Sequence, residues 1–268
     1  MNESTRYHDI LDLIRQAGEQ ILAVRGVNTE KQISEKWGDA NFVTVFDMQI
    51  QRFLIGGLRA LIPEAVFIAE EKENDGDALM ADHCFIIDPI DGTTNFICDF
   101  HHSCISLAYL QRGEVVFGAV YNPYLREMFS AVRGEGAFCN GTPIHVSRRP
   151  FCRGLVMFGS SPYYKKELAD QTLSLCRSLF LSCSDIRRSG SCALDLAYLA
   201  AGRVDVFFEC RVSPWDIAAG MLLVSEAGGR LSDLEGNPLS YAAPTSILAT
   251  NAVSYDDALS TIKSTQNG

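Results

Sequence analysis

The chain has 268 residues, of which 47% are hydrophobic and 21% are charged, a composition typical of a folded globular protein. The net charge of −10 disfavours a general nucleic-acid surface, which needs clustered basic residues. No apolar run approaches the roughly 20 residues of a membrane span, and the polar N-terminus has no signal-peptide core, so no membrane association is predicted. The nine cysteines have neither paired nor zinc-type spacing, which favours buried reduced thiols and a cytoplasmic location.

The N-terminal region is predicted to contain two amphipathic helices. Apolar residues at helical spacing predict the first helix over residues 7–24. A polar, turn-rich stretch follows over residues 36–41, and the apolar run of residues 42–47 then leads into the second helix, with Thr44 as a candidate N-cap. Asp47 would lie in the first turn of that helix, where the macrodipole favours an acid, so a capping role alone accounts for it.

Two predicted strands end in carboxylates. The apolar run of residues 66–69 is followed by Glu70 and Glu71, and that of residues 84–87 is followed by Asp88. If the two strands are neighbours, Glu70 and Asp88 converge at one edge of a sheet. The alternative for Glu70 and Glu71 is a solvated pair of charges at the start of the polar loop.

The central motif is DPIDGTTNF, residues 88–96. Pro89 ends the strand, and Asp91 with Gly92 forms a turn dipeptide, so two carboxylates three residues apart face one point. If a helical turn begins after Gly92, free backbone N–H groups form an anion site beside these acids. Acids next to an anion site predict a bridging divalent metal and a phosphate, with Mg²⁺, Mn²⁺ or Ca²⁺ preferred by oxygen ligands. The alternative is an ordinary turn in which Asp88 caps the next helix.

The predicted pattern of secondary structure changes near residue 148. Residues 104–146 read as an antiparallel meander of short strands, whereas strands and helices alternate after Pro150. We therefore predict an N-terminal α+β part over residues 1–148 and a C-terminal α/β part over residues 149–268. Asp216 lies in the first turn of a helix predicted to begin at Pro214, where an acid is common for structural reasons alone.

The motif of residues 88–96, together with WDIAAG at residues 215–220, resembles the inositol monophosphatase family of Mg²⁺-dependent phosphatases. The resemblance extends from about residue 39 to residue 251. It implies an α/β (α+β) fold, a layered αβαβα sandwich with two sheets. It also implies a cytoplasmic, Li⁺-sensitive homodimer with two or three Mg²⁺ ions in each site, or Mn²⁺ in their place.

The resemblance assigns site residues position by position. The implied metal ligands are Glu70, Asp88, the carbonyl of Ile90, Asp91 and Asp216. The implied catalytic residues, which orient and deprotonate the attacking water, are Asp47, Thr93 and Glu70. The implied substrate-binding residues are Gly92 and Thr93 for the phosphate, and Gly190, Ser191, Cys192, Glu209 and Asp216 for the alcohol.

Three positions depart from the family pattern. Ala69 stands where Gly usually precedes the two acids, Cys192 stands where Ala is common, and Ser213 replaces a residue that is often basic. Ser213 would lie at the substrate rim, so the departure affects substrate identity. The predicted reaction is hydrolysis of a small sugar or polyol phosphate, and myo-inositol 1-phosphate is the first candidate substrate. The alternatives are fructose 1,6-bisphosphate, histidinol phosphate, a 3′-phosphonucleotide or NADP, or a protein-interaction role in transcription or ribosome assembly.

Overall fold

The computed structural model describes residues 3–24, 33–35, 42–71 and 76–266. Its α-helices are α1 Glu3–Ala23, α2 Val45–Leu61, α3 Thr93–Ile97, α4 Lys165–Phe180, α5 Cys192–Ala200, α6 Pro214–Glu226 and α7 Tyr255–Gln266. Its strands are β1 Ile33–Glu35, β2 Phe42–Thr44, β3 Val66–Ala69, β4 Cys84–Asp91, β5 Cys104–Gln111, β6 Glu114–Asn122, β7 Glu127–Val132, β8 Gly136–Cys139, β9 Thr142–Ile144, β10 Leu155–Phe158, β11 Asp185–Arg187, β12 Val206–Val212, β13 Arg230–Ser232 and β14 Thr245–Thr250. No helix in these ranges is long and apolar enough to span a membrane.

The first large sheet follows chain order from β3 to β9. Strand β3 runs parallel to β4, and every later neighbour is antiparallel, so β4 to β9 form the predicted meander. Strand β4 is buried along its whole length, which explains its continuous apolar run Cys84–Ile87 before the acids begin. Strand β4 continues to Asp91, so the prediction that Pro89 ends it is wrong, because pairing with β5 resumes at Asp91 after a shift in register. The parallel pairing of β3 and β4 places Glu70, which follows β3, beside the part of β4 that contains Asp88.

The second large sheet has the order β11-β10-β12-β14-β13. Strands β11, β10 and β12 are parallel, whereas β14 runs antiparallel to both β12 and β13. The pairing of β12 with β14 shifts register between Glu209 and Val212. This irregularity lies at the end of β12 that leads into α6, so it shapes the chain just before the helix that carries Asp216.

Helices and sheets alternate in five layers. Helices α1 and α2 pack on the outer face of the first sheet, helices α5 and α6 lie between the sheets, and α4 and α7 cover the second sheet. This arrangement is the αβαβα sandwich that the family resemblance implied. The hydrophobic core between the sheets contains side chains from both halves of the chain, such as Ile86 and Ile217. The division at residue 148 stays a prediction.

Helix α6 approaches the first sheet very closely. A Cβ atom added at Gly118 of β6 would lie 3.0 Å from the carbonyl oxygen of Ala219 and 3.1 Å from its Cα. On the other side of the helix, a Cβ at Gly220 would lie 2.5 Å from a methyl group of Leu196 in α5. Small residues therefore fix the position of α6 between its two neighbours, and with it the position of Asp216.

Several element boundaries differ from the sequence-based predictions. Helix α1 begins four residues before the predicted start at residue 7, and the strand predicted around His145 is β9, which ends at Ile144. The pair β1–β2 and strand β13 were not predicted, because three-residue strands carry too little periodicity. The predicted turn at residues 36–41 lies outside the described residues, as do residues 72–75 of the polar loop. Residues Gly76–Met80 of that loop form a 3₁₀ helix.

Candidate metal centre and substrate cleft

The acids at the ends of β3 and β4 lie side by side. The register pairs Ala69 with Ile87, and the backbone N–H of Glu70 donates to the carbonyl of Ile87 at 3.2 Å. Glu70 and Asp88 therefore follow on neighbouring strands, as expected for strands that are adjacent. The pairing of β4 with β5 shifts register between Asp88 and Asp91, so the chain turns at the DPID segment instead of continuing as a regular ladder.

Three carboxylates converge at this edge. Ligand oxygens of Asp88, Asp91 and Asp216 all lie within 4.8 Å of one another. Asp216 reaches the cluster from the first turn of α6, where its Oδ2 also accepts a hydrogen bond from the backbone N–H of Ser213 at 2.6 Å. The sequence left open a structural role for Asp216, and the geometry accommodates both roles, because one carboxylate oxygen caps the helix while the side chain faces the cluster.

Asp91 is held by donors from both halves of the chain. Its Oδ2 accepts hydrogen bonds from the Ser191 hydroxyl at 2.6 Å and from the Ala193 backbone N–H at 2.7 Å. The Cys104 thiol donates to the same oxygen at 3.8 Å. These donors come from the start of α5 and from β5. The orientation of Asp91 therefore depends on α5 being packed against the first sheet.

The acidic cluster carries unfavourable charge in this buried position. Burial raises the pKa of Asp88 well above its usual range, and the neighbouring charges of Glu70 and Asp91 raise it further. Burial likewise raises the pKa of Asp216, with repulsion from Asp91 and Glu70 adding to it. A divalent cation would offset this repulsion, and carboxylate oxygens are the ligands that Mg²⁺ prefers. The donor set therefore fits a hard divalent metal.

Asp47 and Thr93 meet beside the cluster. The Thr93 hydroxyl lies 3.3 Å from Oδ1 of Asp47 and 3.1 Å from the carbonyl oxygen of Ile90. The other oxygen of Asp47 accepts hydrogen bonds from the backbone N–H and the hydroxyl of Thr44, at 2.8 Å and 2.6 Å. Thr44 is thus the N-cap that the sequence predicted. Asp47 completes the capping box and still presents one oxygen to Thr93.

The turn after Asp91 requires glycine. Gly92 has φ of +88°, and a Cβ atom there would lie 3.1 Å from the carbonyl oxygens of both Gly190 and His102. Asn95 stabilises the same turn, because its side-chain amide donates to the His102 carbonyl at 2.7 Å and to the Ser189 carbonyl at 3.0 Å. These contacts bring Gly92 next to the loop that precedes α5.

Glu209 lies in a buried, hydrogen-bonded position. Its Oε1 accepts from the backbone N–H of Ser161 at 2.8 Å and from the Ser161 hydroxyl at 3.2 Å. Burial raises the pKa of Glu209 to about 7, although the two Ser161 bonds act in the opposite direction. A side chain at Gly159 would collide with the Glu209 carboxylate, so the backbone closes tightly around this acid.

A single cleft of about 410 Å³ joins these groups. It is lined by nearly all predicted site residues, namely Glu70, Asp88, Ile90, Asp91, Gly92, Thr93, Gly190, Ser191, Cys192, Glu209 and Asp216. Asp47 is not among the lining residues and contacts the site through Thr93. Burial raises the pKa values of the Cys104 and Cys192 thiols well above their usual range, so neither is suited to act as a thiolate nucleophile.

Some residues of the site were not identified from the sequence. Asn95, Ser161 and Asp195 were assigned no role, although Asn95 and Ser161 hold site loops and Asp195 lines the cleft. Arg188 and Arg211 were also assigned no role from the sequence. They are the basic residues that line the cleft within the described chain. Asp195 is buried among apolar neighbours of α5, and an isolated acid in an apolar helix was the one signal that could have marked it.

The chain belongs to the inositol monophosphatase family, whose model matches residues 3–267. The Nus factor SuhB of Escherichia coli K12 is 39% identical over 237 residues, which is 88% of each chain. The structure of an IMPase from Thermotoga maritima superposes with a TM-score of 0.85 at 32% identity and covers 96% of both chains. An IMPase/NADP phosphatase complexed with NADP and Ca²⁺ has a TM-score of 0.87 at 26% identity, over 97% of this chain and 96% of its own.

Proposed function

We propose that the protein is a metal-dependent phosphomonoesterase that hydrolyses a small polyol or sugar phosphate, with myo-inositol 1-phosphate as the first candidate. The observation that carries this proposal is the convergence of Asp88, Asp91 and Asp216 within 4.8 Å, in the cleft that also holds Thr93. A non-catalytic metal-binding protein would need only these acids. The adjacent Asp47–Thr93 pair and the turn at Gly92 are what a reaction on a phosphate group needs in addition.

The residues that would hold Mg²⁺ are Glu70, Asp88, the carbonyl of Ile90, Asp91 and Asp216. Membership of the family, and the Ca²⁺ and NADP bound to the related phosphatase, support a divalent cation in this cleft. We propose two or three Mg²⁺ ions, with Mn²⁺ as a substitute. When bound, they supply positive charge that polarises the phosphate ester and increases the acidity of water.

The chain's own groups would position the reactants and move the protons. The hydroxyl of Thr93, held by Asp47, would orient the attacking water, and the Glu70 carboxylate would accept a proton from it. The backbone N–H groups of Gly92 and Thr93 would hold the phosphate oxygens. On the alcohol side, the carboxylate of Glu209 would accept a hydrogen bond from a substrate hydroxyl. The further alcohol contacts would come from Gly190, Ser191, Cys192 and Asp216.

The test is phosphate release with Mg²⁺ by wild-type protein and by Asp91→Asn, over a panel led by inositol 1-phosphate. We expect the substitution to reduce kcat by at least a thousandfold, because it removes one charged ligand and weakens the contacts to α5. Asp257→Asn is the matched control, since Asp257 is an exposed acid in the first turn of α7. Wild-type turnover in Asp91→Asn would refute the assignment of the metal centre.

The name of the Escherichia coli relative supports a second candidate, a role in transcription. Such a role predicts an effect that does not require the acids of the cleft. Asp91→Asn separates the two candidates, because it should abolish phosphate release and leave an effect on elongation by purified RNA polymerase intact. The charge of −10 favours protein partners over direct contact with nucleic acid in that case.

The finer features follow the family resemblance. We propose a homodimer that is inhibited by Li⁺ and located in the cytoplasm. Ser213, half-buried at the cleft where the family often has a basic residue, leaves the substrate open between a polyol phosphate and the other phosphomonoesters. Fructose 1,6-bisphosphate, histidinol phosphate, a 3′-phosphonucleotide and NADP therefore belong in the same panel.

A further inference from the structure

The cleft is lined by both acidic and basic side chains. Six acidic side chains line it, and four of them belong to the candidate metal centre. The basic residues that line it, within the described chain, are Arg188 and Arg211, and both are exposed. Arg188 precedes α5, and Arg211 lies in the irregular part of β12 between Glu209 and Val212. We call these two side chains the arginine rim.

Arg211 is held in place by contacts on its side chain and its backbone. Its guanidinium carbon lies 4.4 Å from the centre of the Tyr164 ring, a cation–π contact. The backbone N–H of Arg211 donates to the Ser161 hydroxyl at 3.1 Å, and its carbonyl accepts from that hydroxyl at 3.0 Å. Because Ser161 also binds Glu209, the proposed alcohol-binding carboxylate and Arg211 are fixed to one residue.

Arg188 contacts the same loop as Arg211. Its Nη2 donates to the Ser160 hydroxyl at 3.1 Å, so the two rim arginines contact consecutive residues of one loop. A Cβ atom at Gly190 would lie 2.9 Å from Nη1 of Arg188, which places the guanidinium against the backbone next to Gly92. Other arginines, such as Arg187 and Arg203, form ion pairs with acids, whereas no carboxylate lies within ion-pair distance of either rim arginine in the described chain. The charge of Arg188 still acts on Asp195 and Glu209, whose pKa values it lowers against the larger effect of burial.

We propose that the arginine rim strengthens the binding of phosphomonoesters whose alcohol part carries a second negatively charged group, so that the cleft accepts them beside a neutral polyol phosphate. The inference rests on the proposed phosphatase function. With the reacting phosphate at the metal centre, the alcohol lies at Glu209. A second phosphate or carboxylate on that alcohol meets Arg211 or Arg188, because both arginines contact the Ser160–Ser161 segment that also binds Glu209. A guanidinium presents several N–H donors in a plane that matches such anions. A neutral polyol offers the rim no counter-charge, and a cationic alcohol is repelled.

The test compares three substrates that differ in the charge of the alcohol part. Fructose 1,6-bisphosphate has a second phosphate, inositol 1-phosphate has a neutral ring, and histidinol phosphate has an amine. In Arg211→Gln we expect kcat/KM for the bisphosphate to fall about fivefold relative to inositol 1-phosphate, mainly through KM, because the contact is solvent-exposed. Arg188→Gln should act in the same direction, and the relative kcat/KM of histidinol phosphate should rise in both variants.

The matched control is Arg187→Gln. It removes the same charge from the residue next to Arg188, but Arg187 is exposed, bonds to Asp185 and is not part of the cleft lining. The ratio of kcat/KM values should match that of the wild type in this variant. If the ratio of kcat/KM values changed equally in Arg187→Gln and Arg211→Gln, the change would be a general effect of charge, and the inference about the arginine rim would be wrong.

A binding measurement tests the inference about the arginine rim even if the phosphatase proposal is wrong. If the wild type releases no phosphate from any substrate, the phosphatase proposal fails, and calorimetry with Ca²⁺ tests the rim alone. We then expect fructose 1,6-bisphosphate to bind more tightly than inositol 1-phosphate, by a ratio that falls in Arg211→Gln. Equal affinities, or a ratio that the substitution does not change, would overturn the inference.

Discussion

At the scale of the residue, Glu209 sets how the proposed alcohol site responds to pH. Burial raises the pKa of Glu209 to about 7, so its carboxylate is ionised above that pH and protonated below it. Only the ionised form accepts hydrogen bonds with both oxygens. We therefore expect KM for the best substrate to rise several-fold as the pH falls from 8 to 6.

Two variants test whether this pH dependence comes from Glu209. Glu209→Gln should have a high KM with no inflection near neutral pH. Ser161→Ala removes the hydroxyl that lowers the pKa of Glu209 but keeps the backbone N–H, so the inflection should move to higher pH. Steady-state kinetics between pH 6 and 9 measure both effects. An inflection that is unchanged in Glu209→Gln would assign the pH dependence to another group.

At the scale of the element, the approach of α6 to β6 controls where Asp216 lies. Gly118→Ala would place a Cβ atom 3.0 Å from the carbonyl oxygen of Ala219, so either the helix or the strand must move. Overpacking of this kind costs about 1–3 kcal/mol. We expect the free energy of unfolding in urea to fall by that amount, and activity to fall with it.

Gly56→Ala is the matched control for that substitution. Gly56 is an exposed residue of α2, and a Cβ atom there meets nothing within 4 Å. The same chemical change should raise the free energy of unfolding by roughly 0.5–1 kcal/mol, because alanine favours the helix. Equal effects of the two substitutions would show that contact with α6 does not explain the cost at Gly118.

The contrast between local and distant contacts also explains what the sequence could predict. Thr44 was identified as a cap and Glu70 as a neighbour of Asp88, because each depends on residues close in sequence or on one strand pairing. The bonds from Ser191 and Ala193 to Asp91 span 100 and 102 residues. No local periodicity encodes such contacts, and the family resemblance, not the pattern, brought Ser191 into the predicted site. Arg211 was missed because an exposed arginine after a strand is ordinary in sequence.

At the scale of the whole molecule, the acids of the cleft couple folding stability to metal binding. A ligand that binds only the folded state stabilises it by about 2.7 kcal/mol at a concentration of 100 times Kd. For a chain of this size, Mg²⁺ should therefore raise Tm by roughly 5–10 °C. Asp91→Asn should show a much smaller rise, and NaCl at equal ionic strength controls for screening. Equal rises in both proteins would place the bound Mg²⁺ elsewhere.

The contacts of Asp91 also have a consequence for the order of folding. Its carboxylate receives donors from β5 and from the start of α5, which belong to different halves of the chain. A loop of about 100 residues must close before Ser191 and Ala193 meet it, and such long-range contacts form slowly. The site is therefore completed only when the two halves have docked. During refolding, recovery of activity would follow the last of the kinetic phases, after the secondary structure of each sheet has formed.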